Sequence, residues 1–241
     1  LVGCCFMLLA SLPFNLYVKL VLSGFSGSFR DPQIKLFLVI IIFLSFIIAV
    51  ALHFSQHLHF AKSFLESFFQ LVSAITTTGY SVKDSAHWGG VPLALLFLAT
   101  FVGGCAGSTT GGIKINRLFV FVKIIMSFFN RLISPHKVIK VRYGSAELSQ
   151  AVMQSVLFYI SLYFISLLFG TLAFVMTDMP FDVALMAAQE SLSNTGIMLF
   201  DRAINFHMNN NSLWIQSFLM LAGRLELTAL FIIFTPVFWR E

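Results

Sequence analysis

The chain has 241 residues, of which 58% are hydrophobic and 10% charged, with 29 Phe and a mean hydropathy of +0.90. An apolar fraction so far above the roughly 45–50% of globular domains excludes an ordinary water-soluble fold and points to several membrane spans. The formal net charge of +5 is unevenly placed, so it speaks to orientation in a bilayer rather than to nucleic acid.

Residues 2–22 form a first apolar segment, interrupted by Pro13 and Asn15. The chain opens inside this run, with no basic stretch before it, which reads as a start partway through a larger membrane protein rather than as a signal peptide. Processing of a precursor is the alternative. A polar loop at 23–33 leads to a full span at 35–52, close to the ~20 apolar residues that cross a bilayer. Next comes a connector with His53, His57 and His59 in an H-x3-H-x-H pattern. The first pair could share a helix face and bind a metal, but aromatic-rich interfacial loops often carry His, and that reading is preferred.

Residues 62–75, KSFLESFFQLVSAI, would rise only ~21 Å as a helix. Hydrocarbon is ~30 Å thick, so the segment reads as a re-entrant half-helix. TTTGYS follows at 76–81, then a polar connector at 82–90 and a long apolar run at 91–129. The second half repeats the order: a span at 151–176, a short helix at 181–193, NTGIML at 194–199, a polar connector at 200–211 and a span at 212–239. Thr78-Gly79 and Thr195-Gly196 stand 117 residues apart. An internal repeat of architecture, more than of residues, is the expectation.

Between Lys114 and Arg142 lie seven Lys/Arg and no Asp or Glu, the excess that marks a cytoplasmic loop. Arg30 and Lys35 against Asp31 place 23–35 on the same side. The other connectors are mixed or acidic: Lys83 with Asp84, Asp178 with Asp182, Asp201 with Arg202. Both half-helices then enter from outside, and Arg240 ends inside.

Non-helical backbone at membrane depth is tolerated only where it is buried in protein or lines a watery path. An extended strand after a half-helix can turn carbonyl oxygens toward an axis, where they replace a cation's hydration shell. Gly79 and Gly196 allow the backbone angles this needs. The half-helices also aim their partly negative C-terminal ends at the site. A lone T-G would be a plain surface turn; two copies, each between a short helix and a span, favour a filter. Its elements are Thr76, Thr77, Thr78, Gly79 and Tyr80 in the first copy, and Asn194, Thr195, Gly196 and Ile197 in the second. Glu190, on the second half-helix, is either a hydrogen-bonding brace or a packing anchor.

Five of the ten residues from Gly103 to Gly112 are glycine, inside a run otherwise suited to one helix. At roughly 1 kcal/mol per Gly relative to Ala, the helix should break there. Gly107 and Gly112 have phosphate-loop spacing, but Ile113 stands where the lysine is needed and no strand precedes it, so nucleotide chemistry fails. A flexible gate beneath the filter fits Gly103, Gly104, Gly107, Ser108, Thr109, Thr110, Gly111 and Gly112, with a structural helix break as the plainer reading. Arg224 and Glu226 lie mid-span, where charges usually face a cavity or a partner. Two positions apart on a helix, they point in different directions. Arg224 is read as a barrier or latch, or else as a structural ion pair. Cys4, Cys5 and Cys105 have no metal or disulfide spacing and read as small buried residues.

TTTGYS, FVGGCAGSTTGGIKINR, SNTGIML and LAGRLELTALFIIFTPVFWR together resemble the membrane subunit of the Trk/Ktr/HKT potassium transporters, closest to the TrkH type, over nearly the whole chain. The resemblance implies an all-α polytopic membrane protein of M1–P-loop–M2 repeats with re-entrant half-helices, four repeats around one pore. It implies that Gly79 and Gly196 are the filter glycines of the third and fourth repeats, with K+ held at Thr78, Gly79, Thr195 and Gly196. It further implies that residues 103–112 are the gating loop and that Arg224 lies beside it below the filter. Residues 1–22 then end a preceding repeat, and 35–129 and 147–241 are the two repeats present, half of a pore subunit. The expected activity is selective, passive K+ uptake, with no covalent cofactor and no enzyme chemistry. The expected setting is the bacterial inner membrane, multi-pass and in contact with lipid. Expected partners are a second copy of the complete subunit and a cytosolic nucleotide-binding regulatory ring of the TrkA type. The alternative is a non-conducting membrane module that serves assembly or regulation.

Overall fold

The structure, a computed structural model, describes residues 2–23, 31–57, 59–82, 85–134, 140–144, 146–197, 199, 209–233, 235, 236, 238 and 239. Arg30, Lys83, Asp84, Lys137, Asp201, Arg202 and Arg240, and most of the 23–33 and 200–211 connectors, lie outside the described residues.

Helix α1 (Val2–Ala10) and α2 (Phe14–Ser23) form a pair bent by 93° at the Pro13 break. Helix α3 (Pro32–Gln56) begins where Asp31 Oδ1 accepts from the Gln33 N–H at 3.1 Å and Pro32 takes the first turn. An acidic cap and an early proline satisfy or remove orphan donors there. The helix stops at His57, which is left-handed at φ 51°. Helix α4 (Phe60–Ile75) is the first half-helix and starts two residues before the sequence expectation. A 3-10 turn (Ser85–Trp88) leads to α5 (Gly90–Ala99), an irregular loop at 100–114, and α6 (Ile115–Ile133). The glycine-dense run therefore breaks the helix, as its composition requires.

A small antiparallel hairpin follows, β1 (Arg142–Tyr143) and β2 (Ala146–Glu147), which the hydropathy pattern did not signal. Tyr143 Oη donates to Asp31 at 3.0 Å and ties the hairpin to the start of α3. Then come α7 (Gln150–Val175), the second half-helix α8 (Phe181–Ser193), α9 (Asn210–Arg224) and α10 (Leu227–Ile233). The sequence reads 212–239 as one span; instead α9 and α10 meet at 107°. By length and composition α3 and α7 each suffice to cross a membrane, and each bent pair reaches the same measure as a broken span. The fold is all-α apart from the hairpin and is that of a multi-pass membrane protein.

Packing of the first half-helix uses buried polar residues. Half-helix α4 buries Ser63, Ser67, Gln70 and Ser73, and Ser67 Oγ donates to the Ser45 carbonyl of α3 at 3.1 Å. Small residues let helices approach closely where lipid offers no hydrophobic drive. Large apolar side chains such as Phe43, Phe158 and Phe169 are exposed on the outer faces of α3 and α7. Two apolar clusters result, one around α1–α6 and one around α7–α10. They interlock: Ile197 and Leu199, just beyond the second T-G turn, join the first cluster, while Ile113 and Val120 of the first repeat join the second.

Candidate functional site

Both half-helices end in the same closure. At α4, the Thr77 N–H bonds to the Ala74 carbonyl at 3.1 Å and the Thr78 N–H to the Ser73 carbonyl at 3.0 Å. At α8, the Asn194 N–H bonds to Ser191 and the Thr195 N–H to Glu190, both at 3.2 Å. These paired bonds are the Schellman closure, which needs a left-handed residue just past the helix end. Thr77 (φ 52°) and Asn194 (φ 55°) fill that place. Asn tolerates it; for a β-branched Thr it is a real outlier. The Thr195 bond uses the Glu190 backbone carbonyl, not its side chain.

The hydroxyls repeat as well. Thr76 Oγ1 donates to the Val72 carbonyl at 2.7 Å and lies 2.8 Å from Thr78 Oγ1. Ser193 Oγ donates to the Gln189 carbonyl at 2.8 Å and is hydrogen-bonded to Thr195 Oγ1. Sequence reading saw a repeat of architecture; the 117-residue offset also aligns Thr76 with Ser193, Thr77 with Asn194 and Thr78 with Thr195. That alignment was the available signal for Ser193, which was not among the expected site residues.

Gly79 (φ 81°) and Gly196 (φ 70°) are left-handed too. A left-handed residue at every second position reverses the usual alternation of an extended strand and lets successive carbonyls face one side. The two turns touch at these glycines. A Cβ built on Gly79 would lie 3.2 Å from the Gly196 Cα and from the carbonyl oxygens of Thr195 and Gly196. The next residues differ: Tyr80 is exposed, Ile197 buried.

The loop at 103–112 packs against both turns. Its ends are pinned together by Gly103 N–H to Ile113 O at 2.9 Å, Ile113 N–H to Phe101 O at 3.0 Å and Ile115 N–H to Gly104 O at 3.0 Å. Thr110 Oγ1 accepts from the Gly104 N–H at 3.0 Å and lies 2.8 Å from Ser108 Oγ. The break between α1 and α2 holds the loop from one side, with Cys105 N–H donating to Ser11 O and Phe14 N–H to Gly107 O. The buried Gln33 joins them, its Oε1 accepting from the Ala106 N–H at 3.2 Å. The bend between α9 and α10 holds the other side. Arg224 donates to the Thr109 carbonyl, and Glu226 pairs with Arg117 at 3.1 Å and Lys114 at 3.9 Å.

Arg224 and Glu226 are therefore not two residues on one helix facing apart. The helix ends between them, Glu226 is left-handed (φ 61°), and the two side chains reach two parts of the loop region. A polar cavity of about 160 Å³ opens there, lined by Thr109, Gly112, Lys114, Arg117, Arg224 and Glu226 among others. Among the described residues no group of three or more His, Cys, Asp or Glu gathers; His53 lies in the last turn of α3, His57 follows the helix and His59 precedes α4.

The family model for cation transport proteins named TrkH matches residues 29–240. The Trk system potassium uptake protein TrkH of Salmonella typhimurium is 34% identical over 98% of this chain and 50% of its own length. Its namesake in Escherichia coli strain K12 is 33% identical with the same coverage. The crystal structure of the potassium transporter TrkH from Vibrio parahaemolyticus superimposes with a TM-score of 0.90 at 30% identity, over 98% of this chain and 52% of that one. The chain thus spans about half the length of the curated relatives it matches.

Proposed function

The chain belongs to the TrkH family of cation transport proteins, and from that premise we propose that it supplies two filter turns and the intramembrane gate of a potassium uptake pore. The carrying observation is the meeting of the two turns at Gly79 and Gly196, with the Thr195 and Gly196 carbonyl oxygens converging on Gly79. Backbone oxygens gathered at the C-terminal ends of two half-helices form an environment for a bare monovalent cation. Thr78, Gly79, Thr195 and Gly196 supply carbonyls from two sides. The remaining ligands come from two further turns in the complete subunit. Passage is passive, down the electrochemical gradient, and no bond is made or broken.

The loop at 103–112 lies directly below the turns and closes the path on the inner side, with Arg224 as its latch. By membership of the family, the complete subunit sits in the bacterial inner membrane as a homodimer. A cytosolic nucleotide-binding ring of the TrkA type acts on it. Both half-helices enter from outside, as the basic stretch at 114–142 requires.

Expression of the complete subunit containing this chain in a host deficient in K+ uptake tests the proposal. Gly79→Ser and Gly196→Ser are each expected to reduce K+ preference over Na+ by about tenfold, the equivalent of ~1.4 kcal/mol. Unchanged ion preference in both variants, at normal expression, would remove the filter assignment and favour a non-conducting module.

A further inference from the structure

We propose that Thr77 is a positioning residue whose side-chain bond to the intramembrane loop latches the gate to the first filter turn and holds it closed. The proposal rests on the filter and gate reading above. Thr77 Oγ1 accepts the Gly111 N–H at 3.2 Å, a side-chain bond from the filter turn to the middle of the loop. Gly111 has no freedom on its other side: a Cβ built there would lie 2.2 Å from the Ser193 carbonyl oxygen and 3.3 Å from the Asn194 Cβ. One loop glycine is therefore wedged between the two turns, bonded to one and packed on the other.

The second turn has a counterpart. Asn194, the left-handed residue equivalent to Thr77, donates through Nδ2 to the Met220 carbonyl of α9 at 3.0 Å. In each turn the left-handed side chain thus binds an element of the gate: the loop in one case, the bent last helix in the other. Their chemistry differs in a telling way. Asn occupies a left-handed backbone readily, whereas a β-branched Thr does so only where its surroundings over-determine it. The Gly111 N–H is one of those surroundings. Any movement that clears the loop from beneath the turns breaks this bond. The bond therefore favours the closed loop, while the Thr77 and Thr78 N–H bonds to the Ala74 and Ser73 carbonyls keep the turn in shape when the loop is clear.

The test uses the complete subunit in proteoliposomes, with K+ and Na+ flux measured on the same preparations. Thr77→Val keeps the branched shape and loses the acceptor. Thr77→Gly also loses the acceptor but suits the left-handed backbone, so it folds without strain. Both are expected to raise basal K+ flux roughly three- to tenfold, the span of one hydrogen bond, with K+ preference over Na+ kept, while Thr77→Ser restores the wild-type flux. With Arg224→Ala releasing the loop at Thr109, the effect of Thr77→Val should shrink, as coupled sites are non-additive. Wild-type flux in the Val and Gly variants, a Ser variant as leaky as Val, or full additivity with Arg224→Ala would each overturn the latch. If Gly79→Ser and Gly196→Ser alter selectivity while the Thr77 variants leave basal flux unchanged, only the latch falls; if the glycine variants leave selectivity unchanged, the filter reading falls first.

Discussion

At Gly223 a methyl group has nowhere to go. A Cβ built there would lie 1.9 Å from the Leu192 carbonyl oxygen, so backbone must move. At Gly170 the nearest atoms are the Leu219 methyls, 2.8 and 3.1 Å away, at the flexible end of a side chain. Overpacking of a rigid contact costs about 1–3 kcal/mol. Gly223→Ala should therefore lower the apparent Tm in detergent by several degrees, while Gly170→Ala lowers it far less; equal shifts would contradict the rigid contact between α8 and α9. The sequence drew attention to Arg224 and Glu226 by their charge but not to Gly223, since crowding belongs to the neighbour and not to the residue. Thr77 illustrates the same limit. It reads as one of three threonines in a row, and nothing local marks it as left-handed.

The glycine-dense loop and the bent last helix differ in how far they could be read. Five glycines in ten residues announce a break. The 107° bend between Arg224 and Leu227 has no such signal, because Leu225 and Glu226 are ordinary helix formers. Ligands from elsewhere hold it: the Thr109 carbonyl for Arg224, and Arg117 and Lys114 for Glu226. Glu226 is 45% exposed at its side chain, so the pair adds little to overall stability. Its effect should show in the gate instead. Glu226→Gln is expected to raise basal K+ leak a few-fold with Tm nearly unchanged, and removal of residues 107–112 should raise it further. A leak no greater than wild type in the deletion variant, with folding intact, would mean the loop is no barrier.

Across the whole molecule, the two repeats are joined by exchange rather than by simple contact. Ile197 and Leu199 lie in the first core and Ile113 and Val120 in the second, so the second T-G turn is anchored in the first cluster and the start of α6 in the second. Outer faces carry large apolar side chains that hydrocarbon or apolar protein would cover. Sidedness is open to a direct check. In a background with Cys4, Cys5 and Cys105 replaced, His87→Cys should react with an impermeant maleimide added outside. Ser134→Cys, at the end of α6, should react only after the membrane is opened. The reverse pattern would invert the orientation derived from the basic stretch.

Spans, half-helices, the two T-G turns and the loop break were determined by the sequence itself. Hydropathy, helix length, caps and glycine density act between neighbours in the chain, and their consequences are local. Tertiary structure alone decided that the two glycine turns touch and that the last helix folds back at Glu226. It also decided that Gly111 sits between Thr77 and Ser193. Those contacts join residues 34 to more than 100 positions apart. Left-handed angles at Thr77 and Glu226 run against local preference and persist only because distant groups hold them, so no reading of neighbours could have supplied them.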